Sequence, residues 1–157
     1  MRDVNSDIVL RTSIIGGFPG ETEDDFQRLY DMIEEIEFDR LSVFTYSEEE
    51  RTYGAILEDD VPAEIKTERM DSIMMLQQEI NLRKNEALIG SRERVLIDFH
   101  SEDDTSKGRT YRDAPEVDNS VRIDGKLPIG DFLDVKITQA SEYDMKGVTL
   151  IHEPETV

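Results

Sequence analysis

The sequence contains no cysteine and no tryptophan among its 157 residues. Without cysteine, the chain itself cannot form disulfides, a thiol nucleophile, a zinc–thiolate site or a cysteine-bound iron–sulfur cluster. No apolar run approaches the roughly 20 residues that a membrane-spanning helix needs, and the first seven residues carry no apolar signal region. We therefore expect a soluble, cytoplasmic protein with no membrane contact.

Positive charge is also scarce. The chain has 18 basic residues against 37 acidic ones, which gives a formal net charge of −19. Such a surface repels nucleic-acid phosphates and attracts a basic partner, so RNA binding is not expected. The two histidines, His100 and His152, are too far apart in sequence for a short metal motif. The pattern therefore predicts no metal site within the chain.

The first part of the sequence alternates between strand and helix signals. Residues 8–15 form a β-rich, apolar run, and a glycine- and proline-rich turn follows at residues 16–20. Thr22 is a predicted helix N-cap with Asp25 three residues later, and residues 41–45 form a second strand. Strand, helix and strand in this order predict a βαβ unit with parallel strands and a right-handed crossover.

The rest of the sequence predicts one long helix and then a small β domain. The helix should begin near Pro62 and run to residue 89, with Gly90 as its C-terminal cap. Residues 106–108 are a predicted turn. The five predicted strands suggest a small OB-like barrel, and their ranges are 94–99, 109–112, 120–124, 132–140 and 146–151. We therefore expect two domains, residues 1–90 and 91–157.

Several stretches together resemble the radical-SAM methylthiotransferases. Residues 14–26 are similar to the family's Gly-Phe-Pro-Gly-Glu-Thr segment, and residues 38–47 are similar to its next barrel strand and loop. Residues 76–80 match its linker helix. Residues 108–118, which include Asp-Ala-Pro-Glu, resemble the RimO branch, since the tRNA-modifying MiaB branch shares only the preceding Gly-Arg-Thr. The resemblance covers nearly the whole chain.

The resemblance implies a fold, cofactors and an activity. It implies a fragment of an α/β barrel, the βαβ unit plus the long helix, followed by a small all-β, OB-like TRAM barrel. Family members bind S-adenosylmethionine and two 4Fe-4S clusters. The RimO branch methylthiolates an aspartate of the twelfth small-subunit ribosomal protein. Because the cysteines that hold both clusters are absent, this chain alone is predicted to be inactive, and no catalytic residue is assigned.

The predicted cofactor-binding residues are Arg11, Gly17, Phe18 and Glu21. The glycine-rich loop should lie at the C-terminal end of a barrel strand, where active sites of β/α barrels lie. Composition alone favours a tight turn before the Thr22 cap, and it is the family resemblance that favours proximity to the cofactor. Arg11 either faces the barrel interior and a cofactor carboxylate or pairs with a structural acid.

The predicted substrate-binding residues are all acidic, and they are Glu102, Asp103, Asp104, Asp113 and Glu116. Residues 95–157 carry 14 acidic and 7 basic side chains, which leaves a charge of −7. An acidic barrel suits a basic small-subunit ribosomal protein better than RNA. The same acidic loops are also typical of solvated surface.

Two other functions stay open from the sequence. One is a fragment of a tRNA methylthiotransferase, and the other is a free-standing acidic TRAM binding module. One departure from the family is Arg51, which stands where the family loop usually carries glycine. If that position needs a positive φ, Arg51 strains the turn.

Overall fold

The computed structural model describes residues 7–115 and 117–150. Their contacts divide into two compact units, and the division falls after Ile80. This point lies earlier in the chain than the predicted boundary after residue 90. Each unit has its own hydrophobic core.

The first unit is built on a pair of strands. Strand β1 (Arg11–Gly16), helix α1 (Glu23–Ile36) and strand β2 (Arg40–Thr45) follow one another, and helix α2 begins at Ala63. The two strands are parallel, in register from Arg11 opposite Arg40 to Gly16 opposite Thr45. The predicted parallel βαβ unit is therefore confirmed, although β1 begins three residues later than predicted and ends one residue later.

Helix α1 begins with the predicted cap. The Thr22 hydroxyl accepts a hydrogen bond from the Asp25 N–H at 3.2 Å, and the Asp25 carboxylate accepts one from the Thr22 N–H at 3.1 Å. These reciprocal bonds satisfy two donors that the helix start leaves free. The bonds from Thr22 also hold the pKa of Asp25 below its usual value.

Only one face of the strand pair is covered. Its core includes Leu41 and Val43 of β2, Ile33 of α1 and Ile73 and Leu76 of α2. On the opposite face Arg40 is buried, and the other residues are exposed: Arg11, Ser13, Ile15, Ser42 and Phe44. Ile15 and Phe44 lie opposite each other in the register and are 61% and 58% exposed. The sheet therefore presents an apolar edge region to solvent at the C-terminal ends of its strands.

Helix α2 spans Ala63–Glu86, so the prediction that it continues to residue 89 is wrong. Turns follow it, and Gly90 has a φ of 89°. The Gly90 N–H donates to the Ile137 carbonyl at 2.8 Å, within the second unit. Tertiary hydrogen bonding therefore determines this turn.

The second unit is a closed five-stranded barrel. Its strands are β3 (Arg92–His100), β4 (Thr105–Arg109), β5 (Ser120–Asp124), β6 (Phe132–Ala140) and β7 (Asp144–Thr149). They close in the order β3-β4-β5-β7-β6, with β3 pairing to β6. The pairs are antiparallel except β5 with β7. The barrel interior is filled by Val95, Ile97, Val121, Ile123, Val135, Ile137 and Met145. The predicted small barrel is confirmed.

The prediction for the second barrel strand was wrong. The strand is Thr105–Arg109, so the predicted turn at residues 106–108 is strand, and most of the predicted strand at 109–112 is not. Ser106 is fully buried, and its hydroxyl donates to the Gly125 carbonyl at 2.7 Å. A Cβ at Gly108 would overlap the Leu96 carbonyl. Strand pairing therefore needs the small residues that the sequence pattern assigned to a turn.

The last strand begins and ends earlier than predicted, since β7 spans Asp144–Thr149 instead of residues 146–151. Residue 151 lies outside the described residues, as does His152. Arg51 has a φ of 69°, so the condition under which this residue would strain the turn is met. Across residues 7–115 and 117–150, none of the helices has both the length and the apolarity to cross a membrane.

Candidate functional site

The glycine-rich loop lies directly after β1. Because β1 and β2 are parallel, their C-terminal ends lie at one edge, where the Tyr46 N–H donates to the Gly16 carbonyl at 2.8 Å. Phe18 is 42% exposed, and its ring meets that of Tyr46 edge-on at 5.1 Å. Gly17 and Phe18, both predicted to bind cofactor, are therefore neighbours of the β2 loop at this edge.

Glu21 uses both of its carboxylate oxygens within the protein. One accepts a hydrogen bond from the Gly17 N–H at 2.9 Å, and the other accepts one from Arg69 of α2 at 2.6 Å. The side chain is 12% exposed. The structure therefore brings Glu21 to Gly17 and Phe18, with its charge turned towards the protein.

Gly17 satisfies two separate backbone demands. Its φ is 73°, which side-chain-bearing residues rarely adopt, and a Cβ there would overlap the side-chain stem of Lys66. Gly20 has a φ of 84°, and its N–H donates to Asp60 at 2.7 Å. The loop is thus fixed by hydrogen bonds at both glycines.

Arg11 does not join this group. It lies at the N-terminal end of β1, and Gly17 follows the C-terminal end, six residues later and about 20 Å away along an extended chain. Arg11 is exposed on the same uncovered face as Ser13 and Ile15. The structure therefore separates Arg11 from Gly17, Phe18 and Glu21.

Sequence reasoning missed Lys66 and Arg69, which both contact the loop. Both side chains are 8% exposed although they carry charge. Burial alone would lower the pKa of Arg69, but hydrogen bonds to Glu23 and Glu21 raise it overall. Lys66 gave one signal, because a basic residue at the fourth position of a helix opposes the helix dipole, whereas Arg69 at the seventh position gave none.

The acids predicted in the β3–β4 loop lie at one end of the barrel, and two are already paired. Asp103 forms an ion pair with Arg122 and accepts a hydrogen bond from Thr105, while Asp104 lies 3.5 Å from Lys126. Glu102 is exposed, and no bond or ion pair involves its side chain within the described part of the chain. Asp124 lies at the same end of the barrel, because it is opposite Thr105 in the register. Its side chain is exposed.

Asp113 occupies a different place. It belongs to the loop after β4, so it lies at the other end of that strand from Asp103, about 14 Å along four strand steps. Asp113 is 8% exposed, and its carboxylate accepts a hydrogen bond from Thr110 at 2.8 Å. Glu116 lies outside the described residues. The structure therefore does not bring Asp113 together with the acids of the β3–β4 loop.

Basic residues on the barrel also have a definite place. Lys107, Arg122 and Lys146 are cross-strand neighbours on β4, β5 and β7. This wall of the barrel is cationic although residues 95–157 carry a net negative charge.

Neither unit offers a metal site among the residues that the structure describes. No group of three or more histidine and carboxylate side chains comes close enough to hold an ion there. With no cysteine in the sequence, this chain provides no thiolate for an iron–sulfur cluster either.

The barrel identifies the class of domain. Residues 89–150 match the family model described as the TRAM domain, and these residues include all five barrel strands. The second unit of the chain is therefore a TRAM domain.

The relatives identify the particular family. The chain is 47% identical to the ribosomal protein uS12 methylthiotransferase RimO of Thermosipho melanesiensis, over 94% of this chain and 34% of that protein. It is 46% identical to the RimO of Clostridioides difficile, over 92% of this chain and 33% of the relative. For the RimO of Thermus thermophilus the identity is 44%, over 94% of this chain and 34% of the relative.

Over the portion that it spans, the chain belongs to the RimO family of methylthiotransferases. It spans about a third of the length of the curated relatives it matches and corresponds to their C-terminal portion. The family resemblance inferred from residues 14–26 and 108–118 is confirmed.

Proposed function

We propose that this chain acts as the C-terminal part of a radical-SAM enzyme that methylthiolates an aspartate of a small-subunit ribosomal protein. The observation that carries the proposal is its similarity, over nearly all its length, to proteins named for modifying uS12. None of these names favours a tRNA methylthiotransferase or a free-standing binding module. With a ribosomal protein as substrate, the proposed place of action is the cytoplasm.

In this proposal the first unit is the last piece of an α/β barrel and one wall of the S-adenosylmethionine pocket. The uncovered face of β1 and β2 supports this role, because Ile15 and Phe44 offer apolar surface beside the exposed ring of Phe18. Such an apolar surface fits a planar base. S-adenosylmethionine supplies the radical chemistry that gives the family its name.

The four predicted cofactor residues have different roles in this proposal. Gly17 and Phe18 face the ligand, whereas Glu21 acts by holding the loop, since both of its carboxylate oxygens are already used. Arg11 lies on the same open face but farther along β1, so it would contact the far side of a bound group.

The clusters require ligands from outside this chain, because it has no cysteine. We therefore predict no cluster and no methylthiotransferase activity for the 157 residues alone. Anaerobic reconstitution with iron and sulfide, followed by absorption and iron analysis, tests this prediction. A stoichiometric, protein-bound 4Fe-4S cluster would contradict it.

The TRAM barrel is the proposed contact for the basic substrate. Glu102 and Asp124 are exposed acids at this end of the barrel, and neither side chain is paired within the described part of the chain, so they carry the proposed contact. Asp103 and Asp104 would help through their charge while their ion pairs hold the loop. Asp113, which is buried, would act by shaping its own loop, and Glu116 keeps its predicted role as a substrate contact.

A titration of the whole chain against purified uS12, and separately against a tRNA anticodon stem-loop, tests the partner. We expect tighter binding to the protein, and weaker binding as salt rises, because exposed charges are screened within about 8 Å at physiological salt. The double variant Glu102→Gln/Asp124→Asn should bind uS12 more weakly. The matched control Glu34→Gln/Glu35→Gln makes the same charge change on α1. Tighter binding to the RNA would overturn the proposed substrate.

A further inference from the structure

We infer that Lys66 and Arg69 of α2 are positioning residues that hold the glycine-rich loop in the shape that S-adenosylmethionine would meet. This inference rests on the cofactor role proposed for that loop. Neither residue has a role in the family resemblance on which the cofactor site was predicted. Both belong to the first unit, as does the loop that they contact.

The guanidinium of Arg69 binds the end of the loop. One Nη donates to the Glu21 carboxylate at 2.6 Å and lies 3.3 Å from the Glu21 carbonyl. The other Nη donates to Glu23 at 3.0 Å, and the guanidinium lies over the Phe26 ring, 5.3 Å from its centre. Because the planar guanidinium has donors in a fixed fork, it fixes Glu21 and the start of α1 together.

Hydrogen bonds connect Arg69 to Gly17 through the Glu21 carboxylate. The second Glu21 oxygen accepts the Gly17 N–H at 2.9 Å, so Arg69, Glu21 and Gly17 form a continuous chain of bonds. Hydrogen bonds to charged groups in a partly buried site are stronger than those between neutral groups. Loss of the guanidinium would leave the Glu21 carboxylate poorly compensated and free to turn towards water.

Lys66 contacts the same loop at Gly17. Its side-chain stem packs against the Cα of Gly17, so closely that a Cβ there would overlap it. Its ammonium donates to both Asp59 oxygens, at 2.8 and 2.6 Å, and lies 5.1 Å from the centre of the Tyr46 ring. Because Asp59 holds the ammonium, the side-chain stem is also held in position against Gly17.

The placement of these charges supports a specific role. Burying a charged side chain needs compensation by partners. Lys66 and Arg69 are both nearly buried, and each contacts the loop. A purely structural packing position would be filled at lower cost by an apolar side chain.

The test measures the loop directly by amide hydrogen exchange on the whole chain. In Arg69→Gln we expect exchange at the Gly17 amide to rise about tenfold or more, with exchange at Ile33 and Ile73 unchanged. Arg69→Lys should restore part of the protection, because it retains a cation for Glu21. Arg92→Gln is the matched control, since it removes an arginine–carboxylate pair from the barrel, and it should leave Gly17 unchanged.

Lys66→Met separates the two parts of that side chain. The stem that packs on Gly17 is kept, and the ammonium that binds Asp59 is lost. We expect an intermediate rise in Gly17 exchange, because the stem loses its anchor. Unchanged exchange at Gly17 in both Arg69→Gln and Lys66→Met, within twofold of the original chain, would overturn the inference. A general rise that includes Ile33 and Ile73 would overturn it as well, since it would indicate a purely structural role.

A second measurement links the loop to its proposed ligand. Amide chemical shifts are followed while S-adenosylmethionine is added to the original chain and to Arg69→Gln. We expect shifts at Gly17 and Phe18 that are lost in the variant. If the original chain shows none, the proposed cofactor role fails, and the exchange data still decide whether Lys66 and Arg69 hold the loop. Equal shifts in both chains would contradict a positioning role.

Discussion

The two units differ in how their strands are paired and covered. The barrel closes β3 onto β6, so each of its strands has a neighbour on both sides. Among the residues that the structure describes, the first unit has two strands, β1 and β2, with one face covered by helices and the other largely exposed. Unpaired strand edges offer hydrogen-bonding groups to further strands. The comparison teaches that closure, more than strand content, determines whether every strand of a unit has a neighbour on both sides.

The largest effect on the free energy of unfolding should come from truncating one buried isoleucine in each core. Ile33 and Ile137 are both fully buried, one in each unit. Replacing a buried isoleucine by alanine costs about 2–5 kcal/mol, and the cost depends on how far the site can collapse. We expect Ile137→Ala near the upper end, because a closed barrel relaxes little, and Ile33→Ala near the lower end. Denaturant unfolding measures both, and the reverse order would break the comparison.

A smaller contrast comes from two strand glycines. A Cβ at Gly108 would overlap the Leu96 carbonyl, whereas at Gly16 nothing lies within 4 Å and φ is not positive. Overpacking a filled site costs about 1–3 kcal/mol, so Gly108→Ala should destabilise the barrel. Gly16→Ala should be neutral or stabilise by up to about 1 kcal/mol. Equal unfolding free energies for the two variants would show that the barrel backbone can shift to accommodate a methyl group at residue 108.

Hydrogen exchange of the original chain compares the units without substitution. We expect slow amides in residues 95–97 and 135–137, which lie inside the closed barrel, and faster ones in residues 8–15. The expected difference is about tenfold or more, which corresponds to about 1.4 kcal/mol in opening free energy. Slower exchange in β1 than in the barrel would contradict the view that closure is decisive.

The smallest effect concerns pH and the α1 cap. Hydrogen bonds from Thr22 lower the pKa of Asp25 in the folded protein. Its contribution to stability is therefore complete above the unfolded pKa of about 3.9 and is lost as pH falls through the lower, folded value. Asp25→Asn should destabilise the first unit at pH 7 and much less at pH 2. Asp24→Asn, in the same turn, is the control, and equal effects at both pH values would exclude this linkage.

The sequence by itself determined those elements whose signals are local. The strands Ser120–Asp124 and Phe132–Ala140 were predicted with the bounds that the structure has. The reciprocal cap of Thr22 and Asp25 was also correctly predicted, because it depends on a few neighbouring residues. Family membership followed from short motifs in the same way.

Tertiary structure decided what depends on residues far apart in sequence. Ser106 and Gly108 suit a turn by composition, yet they lie in a strand because Leu96 and Gly125 come close to them only when the barrel closes. Glu21 was expected to face a ligand, but Arg69, 48 positions away, turns its carboxylate towards the protein. A buried charge is stable only beside its partner, and a sequence pattern cannot supply that distance.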